Sequence, residues 1–447
     1  MRLHASSSAF PRPRPLAAVP PLTPPAPETP RLKIAVVGAG LGGLSAAWLL
    51  GRGHEVTLYE RQARPGFTAA SVTAPGSDER IDVPLRVFYP GYYPTLTRLY
   101  AALGVPSEPV SYAASFMGED ARLYFRYRNL RWGSRSIGVP APQDLLLGPR
   151  ARRIVAGLLR FHREMVPALA RGDLAGRSIG EVVCGYPPEF VDGFLLPAIC
   201  TVCTCSYEAA RAFPAQVVVD YMARGLTRES VRRALQGADG VERLLRGGIP
   251  RLRCPAPIAG VRRQGRGVVL QLADGGEEHH DHVVMAAQAN HARALLRDAS
   301  DAEAAMLEGF RYQPVTVLTH TDPALMPARR RDWSPVNLRI APGHAAPEST
   351  IWVNAVQPAL RGREDVFQTV HPQRQPREGS LVGQARFERP VLDAGSLRAL
   401  DALQRLHAEP DRRVWFCGSY AQAGIPLLES AVRSAHDVAE RFGQGLG

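Results

Sequence analysis

Lysine is almost absent from this chain. Lys33 is the single lysine among 447 residues, although lysine and arginine together number 54 and the formal net charge is +12 at pH 7. Nearly all of the positive charge is therefore carried by arginine. A basic protein can favour anionic membrane or nucleic-acid surfaces. No nucleic-acid-binding motif is apparent, however, so we expect no nucleic-acid partner.

Cysteine is also scarce, and the six cysteines do not suggest a disulfide framework. Three of them form the pattern Cys200-x-x-Cys203-x-Cys205, in a chain far larger than the small secreted domains that depend on disulfides. A metal site would need a fourth ligand, and no cysteine and histidine pair lies at zinc-finger spacing. We therefore expect buried or pocket-lining thiols and no metal.

Long apolar runs are missing as well. No stretch of eighteen apolar residues occurs, so no segment is predicted to span a membrane. Residues 1–30 are rich in proline, serine and alanine, with Glu28 as the only acid. This composition favours a disordered leader or translation assigned from an upstream start codon, with an organellar transit peptide as the alternative. We expect a cytoplasmic protein.

One segment could still touch a membrane from outside. Residues 150–170 place an apolar series on one helical face, and most of their arginines lie off that face. The favoured interpretation is a packed helix with a solvated arginine face. The alternative is peripheral contact with an anionic lipid surface. Nothing in the sequence indicates an oligomeric state.

The strongest positive signal is a strand, a glycine-rich turn and a helix in succession. Residues 33–37 form a short β-branched run, as expected for a buried parallel strand, and residues 44–50 favour a helix. Between them, glycines stand at G-x-G-x-x-G spacing, at Gly38, Gly40 and Gly43. These permit the tight turn, the approach of backbone to a pyrophosphate and close packing of helix on strand.

A second strand at 56–59 ends in an acid, Glu60, about twenty residues beyond the glycines. A carboxylate there accepts hydrogen bonds from a ribose diol. Together with the helix N-terminus, which favours phosphate, this order predicts a dinucleotide-binding unit.

The length of the chain calls for more than one domain, and its composition is globular, with 45% hydrophobic and 21% charged residues. Strand and helix alternation occurs in three separated pieces, which we assign to the dinucleotide domain as 31–95, 245–300 and 410–445. The intervening 96–244 and 301–409 are assigned to a substrate-binding domain. The predicted fold class is α/β: a discontinuous Rossmann-like domain with a parallel sheet and an inserted α+β domain.

The prediction is more detailed for several elements. A helix is expected from Tyr93 to Leu103, stopped by Gly104. The expected strands or extended segments are 80–88, 121–127, 258–262, 267–272, 281–287, 315–320, 351–356, 385–387 and 414–420. Further helices are expected at 290–296 and 428–442.

This discontinuous order resembles the FAD-dependent amine oxidase and phytoene desaturase superfamily. The resemblance is carried by the first motif and by the closing strand and helix, Phe416-Cys417-Gly418-Ser419 followed by residues 429–435. Within the superfamily the chain is similar to a bacterial group of predicted NAD/FAD-binding, amine-oxidase-like proteins, over nearly all of 31–443. Genes of that group often adjoin cyclopropane-fatty-acid-synthase-like methyltransferases, which implies a lipid acyl chain as a substrate class.

The resemblance implies FAD as cofactor and a set of residues that bind it. The glycine turn would hold the pyrophosphate, Glu60 the adenosine ribose, Val261 the adenine, and the closing motif the ribityl arm and the flavin end. The implied cofactor-binding residues are Gly38, Ala39, Gly40, Leu41, Gly42, Gly43, Glu60, Arg61, Arg64, Gly66, Val261, Ala286, Ala287, Gly418, Ser419, Leu428 and Glu429.

Two departures from the superfamily pattern bear on the chemistry. Arg64-Pro65-Gly66 is followed by Phe67 where the superfamily has a polar residue. This difference weakens a second set of contacts with the pyrophosphate. Residues 421–429, AQAGIPLLE, are apolar where the group has an aromatic, glycine-rich loop with His-Glu-Asp. Because this loop lies against the flavin in the superfamily, the second departure predicts substrate chemistry that differs from that of the group.

The missing lysines exclude one mechanism. Many amine oxidases of the superfamily use a lysine near flavin N5, and Lys33 lies in the first strand, before the glycine turn. The sequence therefore favours hydride abstraction from a C–H bond of an apolar substrate, acyl-lipid or isoprenoid-like, by an oxidase, desaturase or isomerase. Weak candidates for catalytic helpers are His320, His371, Tyr420 and Glu429.

Two alternatives stay open. One is a lysine-independent oxidase of a small amine or amino acid, in which Arg86 or Arg339 would recognise a carboxylate. The other is a flavin-binding protein without turnover, suggested by Phe67. The sequence identifies neither the substrate nor the electron acceptor.

Overall fold

The computed structural model describes residues 31–132, 135–140, 148–226 and 230–446. The predicted leader, 1–30, lies outside these residues. The strands, numbered β1 to β20, are Lys33–Val37, Glu55–Tyr59, Val72–Thr73, Arg80–Ile81, Ser107–Pro109, Ala114–Met117, Leu123–Trp132, Arg135–Pro140, Arg232–Ala234, Arg251–Arg253, Ile258–Gln264, Gly267–Leu272, Glu277–His280, His282–Met285, Tyr312–His320, Val336–Arg339, Glu348–Trp352, Phe367–Val370, Leu381–Pro390 and Val414–Phe416.

Eleven helices of six or more residues in the described ranges are numbered α1 to α11. They are Leu41–Leu50, Pro94–Leu103, Pro149–Arg171, Leu196–Cys203, Tyr207–Ala212, Ala215–Tyr221, Gly237–Gly247, Ala289–Leu295, Asp301–Glu308, Ala394–His407 and Leu428–Glu440. Short helical turns include Ile179–Val182, Pro188–Phe190 and Val353–Val356.

The first sheet has five parallel strands in the order β10-β2-β1-β14-β20. Its central strand β1 is apolar and buried from Ile34 onward, because helices cover both faces of such a sheet. Three distant parts of the chain supply its strands, which confirms the predicted discontinuous α/β fold. All five strands lie inside the ranges assigned to the dinucleotide domain, while the domain boundaries themselves stay a prediction.

The second large sheet has eight strands in the order β19-β15-β18-β17-β16-β6-β7-β8. Its pairings are antiparallel except for the parallel pair β16 and β6, which joins the two inserted segments of the chain. Residues 149–226, mostly helical, complete the insertion. A smaller antiparallel sheet, β11-β12-β13, contains the strand pair predicted at 258–262 and 267–272.

Two predicted extended segments are only partly correct. The strand expected at 351–356 ends at Trp352, and Val353–Val356 is a helical turn. Its buried valines fit either conformation, so the apolar pattern could not distinguish them. In the segment expected at 80–88, strand pairing is limited to Arg80–Ile81 and a bridge from Phe88 to Arg232. Pro84 lies between them and has no N–H to donate to a strand ladder.

Helix α3 has the predicted two faces. Ile154 and Phe161 are buried, whereas Arg153 and Arg163 are exposed. The arginine face is partly paired, as in the contact of Arg153 with Glu189, and contact with a lipid surface stays a prediction. Within the described part of the chain, every helix is too short or too polar to cross a membrane.

Candidate cofactor and active site

The glycine turn is fixed by contacts at the carboxyl edge of the parallel sheet. Gly38 adopts a φ of 107°, which an L side chain rarely adopts, and its N–H donates to the carbonyl of Tyr59 at 2.8 Å. A Cβ on Gly38 would lie 3.1 Å from the carbonyl of Ala286. The turn therefore rests directly on the end of β14, and this places Ala286 and Ala287 beside it.

Two of the remaining glycines of the motif are packed against other backbone atoms, and one has free space beside it. A Cβ on Gly43 would stand 1.8 Å from the carbonyl oxygen of Gly38, and one on Gly42 would touch Gly418 and Ala431 at 3.4 Å. A Cβ on Gly40 would meet nothing within 4 Å. Space is thus left at Gly40, the N-cap of α1, where the free N–H groups of the first turn favour an anion.

Glu60 is buried at the end of β2 and is bound to the turn. Its two carboxylate oxygens accept from the backbone N–H groups of Ala39 and Gln62, both at 2.9 Å. A carboxylate has about four lone-pair sites, so acceptor capacity remains for a ribose hydroxyl. The position predicted from sequence is therefore occupied by a carboxylate held in a fixed orientation.

The segment after Glu60 folds back onto the glycine turn. Phe67 donates its N–H to the carbonyl of Ala39 at 3.1 Å, and Gly66 lies beside Glu60. Arg61 and Arg64 are exposed. The ring of Phe67 is buried, with the guanidinium of Arg86 4.4 Å from its centroid. Where the superfamily has a polar residue, this chain therefore has a buried phenylalanine ring that packs against the guanidinium of Arg86.

Val261 does not belong to the parallel sheet that carries Glu60. It lies in the small antiparallel sheet, and its carbonyl accepts from the N–H of Arg297 at 2.9 Å. The backbone groups bonded to Glu60 belong to Arg253 and Ala256, at 2.9 and 2.6 Å. Sequence reasoning missed those two, although Arg253 ends the strand that pairs with β2 and Ala256 follows it closely. The contact of Val261 with adenine stays a prediction.

The closing motif lies against the first one. Gly418 has a φ of 147°, its N–H donates to Oγ of Ser434 at 2.9 Å, and the same hydroxyl donates to the Gly418 carbonyl at 3.0 Å. Ser419 is half-buried, and Leu428 begins α11. Because α11 packs on α1, the two helix N-termini lie at the same edge of the sheet.

Glu429 has a structural partner that sequence reasoning did not find. Its carboxylate oxygens accept from the N–H groups of Thr95 and Leu96, each at 2.9 Å, at the start of α2. Helix α2 begins at Pro94 without a side-chain cap of its own. Glu429 therefore supplies the N-terminal cap from a distant segment.

His320 lies far from the glycine turn. The start of β15 touches the nucleotide side, since Tyr312 accepts from the N–H of Ala289 at 2.8 Å. His320 ends the same strand, about 26 Å away at ~3.3 Å per residue. Burial lowers the pKa of His320 to about 4, and its Nε2 lies 2.8 Å from Thr369. These contacts describe a neutral core histidine.

Tyr420 lies nearer the site. Its ring packs edge-on against Phe310 and lies 3.1 Å from where a Cβ of Gly418 would be. Its hydroxyl is buried and has no hydrogen-bond partner among the described residues, and burial raises its pKa well above the usual value. It is therefore a neutral hydroxyl to which the described part of the chain offers no acceptor.

The other polar candidates also differ in whether they lie near the glycine turn. Lys33 is exposed at the opposite end of β1 from the turn, so its amine cannot reach the carboxyl edge of the sheet. Arg339 donates to the carbonyl of Glu119 at 3.0 Å and to Gln373 at 2.9 Å. Arg86 instead lies at the turn, and burial lowers its pKa while Asp82 opposes that shift.

The cysteine triplet is buried and reduced. Hydrogen bonding with Cys200 and Cys203 lowers the pKa of Cys205, and His371, at a φ of 51°, lies near it. Among the described residues, side chains close enough to share a metal ion occur at a different place, His436, Asp437 and Glu440.

A cavity between the eight-stranded sheet and the tyrosine cluster was not foreseen from the sequence. It encloses about 80 Å³ and is mostly apolar. Its aromatic lining is Tyr89, Tyr93, Tyr112, Phe116, Tyr127 and Tyr221. The tyrosine cluster reaches the closing loop, because Ile425 donates its N–H to the hydroxyl of Tyr92 at 2.9 Å and Tyr92 packs 4.8 Å from Tyr221.

Comparison with known proteins supports the class of fold that these contacts define. Residues 36–103 match the family model of an NAD(P)-binding Rossmann-like domain. A zeta-carotene desaturase of Zea mays is 44% identical over 90 residues, which cover 19% of this chain and 15% of the desaturase. The aligned part is thus a small fraction of the curated relatives.

Two solved structures share the architecture over most of their length. A CLA-producing fatty acid isomerase from P. acnes superposes with a TM-score of 0.63 at 15% identity, covering 92% of this chain and 98% of the isomerase. Putrescine oxidase bound to putrescine gives 0.61 at 14% identity, covering 92% and 99%. At these identities the likeness shows the fold.

The chain therefore contains a dinucleotide-binding Rossmann-like domain, and it has the fold of the FAD-dependent amine oxidase and phytoene desaturase superfamily. The resemblance predicted from sequence is confirmed at that level. The named relatives are a desaturase, an isomerase and an oxidase, which agrees with the prediction of an oxidoreductase-type enzyme.

Proposed function

We propose that this protein is an FAD-dependent oxidoreductase that removes a hydride from a C–H bond of an apolar, acyl-lipid or isoprenoid-like substrate, as an oxidase, desaturase or isomerase. The observation that carries the proposal is the apolar, tyrosine-lined cavity, whose tyrosine cluster reaches the closing loop. Bound FAD would supply the hydride acceptor.

The residues present fit a dinucleotide. The turn is tightly packed at Gly38 and Gly43 but open at Gly40, where a helix begins. The buried carboxylate of Glu60, fixed by the N–H of Ala39, lies where we expect the ribose. Gly418 and the N-terminus of α11 lie against α1, where they would meet the other half of the cofactor.

The role of the protein side chains in this proposal is mainly to orient the substrate and exclude water. Tyr89 packs against Tyr93 and Tyr221 with ring centroids 5.4 Å apart in both pairs, and this gives a stiff apolar wall. Burial holds the pKa values of these tyrosines above their usual range, so they stay neutral. Water exclusion around the reacting C–H bond suits hydride removal without a charged base.

The first experiment is to purify the protein, record its visible spectrum and titrate the apoprotein with FAD. We expect a bound flavin spectrum. A protein that stays colourless and takes up no FAD would remove the enzymatic proposal.

The second experiment separates substrate classes. The flavin absorbance of the holoprotein is followed anaerobically with acyl lipids, an isoprenoid and a panel of amines including putrescine. Bleaching, or double-bond movement in the recovered lipid, is expected with the apolar compounds. Bleaching by amines alone would contradict the lipid proposal, and inertness toward all classes would favour a flavin-binding protein without turnover.

A further inference from the structure

An open pocket of about 570 Å³ lies between β7, the start of α3 and residues 329–332. All three belong to the segments assigned to the substrate-binding domain, whereas the glycine turn lies on the parallel sheet. Arg126 and Arg128 line the pocket, and Tyr127 between them lines the tyrosine-lined cavity. Because successive side chains of a strand point to opposite faces, the two spaces lie on opposite faces of β7. The volume is within the ~300–1,000 Å³ that is usual for a ligand site.

The charges that line this pocket are almost all of one sign. Like charges gathered in a concave site repel one another, and the walls of the site focus their field on the space between them. An anion in that space would relieve the repulsion. The charged lining in the described part of the chain is Arg126, Arg128, Arg150, Arg329, Arg331 and one acid, Asp332.

The carboxylate of Asp332 is already occupied by two of the arginines. It is buried, with one oxygen 3.5 Å from Nη1 of Arg126 and the other 2.8 Å from Nε of Arg329. Arg126 also donates to the carbonyl of Arg331 at 3.4 Å. These contacts hold residues 329–332 against β7, and they use both oxygens of the acid.

Three arginines of the pocket keep an uncompensated charge. Arg128, Arg150 and Arg331 are exposed and form no ion pair with a carboxylate of the described ranges. Arg150 lies over the ring of Tyr124, with its Cζ 3.5 Å from the ring centroid. The Tyr124 hydroxyl in turn donates to the carbonyl of Gly193 at 2.7 Å. The guanidinium of Arg150 is thus held in place before any ligand binds.

We propose that this pocket binds a phosphate group, as a phosphomonoester or a diphosphate, through Arg128, Arg150 and Arg331. The inference goes beyond the proposed function, because it concerns a second site and requires neither the flavin nor the tyrosine-lined cavity. A phosphomonoester carries a charge of about −1.5 to −2 at pH 7 and three acceptor oxygens. Three arginines match it better than they match the single charge of a carboxylate, and guanidinium groups bind phosphate oxygens in a bidentate arrangement. The N-cap of α3, Gly148, also lines the pocket, so the positive end of that helix adds to the attraction.

The test uses the purified full chain, saturated with FAD and then freed of the excess, so that the glycine turn cannot take the probe. Sodium pyrophosphate, sodium phosphate and sodium acetate are titrated by isothermal calorimetry at low and at physiological ionic strength. A soluble phosphate compound and a phospholipid headgroup offer the same chemistry. Co-sedimentation with phosphatidylcholine vesicles, with and without phosphatidic acid, distinguishes the two.

The variant carries Arg128→Gln and Arg331→Gln together, because both side chains are exposed and neither pairs with a described carboxylate. The matched control carries Arg386→Gln and Arg398→Gln, which removes the same charge from exposed positions on β19 and α10. Thermal unfolding and flavin content of both double variants should equal those of wild type.

We expect wild type to bind pyrophosphate more tightly than acetate, and less tightly as added salt screens the charges. R128Q/R331Q should weaken pyrophosphate binding by at least about 10- to 100-fold, the range for one charged hydrogen bond. R386Q/R398Q should match wild type, and Arg128→Lys with Arg331→Lys should restore part of the affinity. Pyrophosphate binding without sedimentation on phosphatidic acid supports a soluble phosphate ligand. Sedimentation that R128Q/R331Q abolishes supports a lipid headgroup.

Three outcomes would overturn the inference. The first is absence of binding to both pyrophosphate and phosphatidic acid, or equal binding by R128Q/R331Q and wild type. The second is an equal loss in R386Q/R398Q, which would assign the effect to the net charge of the chain. The third is acetate bound as tightly as pyrophosphate, which would show that the pocket does not select phosphate.

Discussion

The parallel sheet and the eight-stranded sheet build their sites in different ways. The glycine turn takes its closest contacts from β1, α1 and β2, within 28 residues from Lys33 to Glu60, and is then covered by distant segments. The tyrosine-lined cavity takes its wall from residues between Val87 and Leu338. A local motif can be recognised in sequence, whereas a wall assembled from distant residues cannot.

The glycine turn and the cavity should therefore differ in their tolerance to amino-acid substitution. In the turn, a Cβ meets backbone atoms that cannot move away without breaking the sheet. In the cavity, a larger side chain meets empty space and flexible rings. We therefore expect substitutions in the turn to unfold the protein, and substitutions in the cavity to weaken ligand binding.

The largest effect is expected for Gly43→Ala. Its Cβ would stand 1.8 Å from the carbonyl oxygen of Gly38, so we expect destabilisation above about 4 kcal/mol and loss of soluble protein. Urea unfolding or soluble yield measures this. Gly247→Ala is the control, because a Cβ there meets nothing within 4 Å. Near-native stability of G43A would show that the turn is looser than the contacts indicate.

Glu60→Gln should act on the cofactor rather than on folding. The amide keeps one acceptor for the turn but loses the charge that supports two N–H groups and a ribose hydroxyl. We expect FAD affinity to fall about 10- to 100-fold, measured by fluorescence quenching of added flavin. Glu55→Gln, exposed at the other end of the same strand, should leave it unchanged. Equal effects from both variants would contradict a specific role for Glu60.

Ala114→Leu tests the cavity. Ala114 is buried on β6 and lines the cavity. The larger leucine side chain should therefore occupy the volume that we assign to the substrate. Apolar ligand affinity should drop about 10-fold, while flavin content stays native and stability changes by no more than ~1–3 kcal/mol. The ligand titration is repeated with Ala156→Leu, at an exposed position on α3. Unchanged ligand binding by A114L would exclude the cavity as the substrate site.

A further effect concerns pH. Burial lowers the pKa of His407 to about 3, and its Nε2 accepts from the N–H of Phe416 at 3.1 Å. The fold thus favours the neutral ring, whereas the unfolded chain binds a proton near pH 6.5. This stabilisation is complete above pH 6.5 and is lost as pH falls toward 3, by at most ~1.4 kcal/mol per pH unit.

His407→Gln keeps an acceptor for Phe416 but cannot titrate. Its unfolding free energy, measured in urea from pH 7 to 4, should therefore fall less steeply than that of wild type. His344→Gln, at an exposed position, serves as the comparison. A slope in H407Q parallel to that of wild type would assign the acid sensitivity to other groups.

Two features could not be read from the local sequence pattern. Glu429 at the flavin end stays a prediction, but sequence reasoning missed that its carboxylate caps α2, 333 residues away from Leu96 in the chain. Val353–Val356 was expected as strand, and its burial is the same in the turn it forms. In both cases contacts from distant segments decide what the local pattern leaves open.

By itself, the sequence determined the strand, glycine turn, helix and acid from Lys33 to Glu60, because these follow from backbone geometry and short-range packing. It also excluded a lysine at the reacting end of the site. Only the tertiary structure decided that Tyr92, Tyr221 and Ile425 lie together at the closing loop. These residues come from distant parts of the chain, so no local pattern predicts their contact.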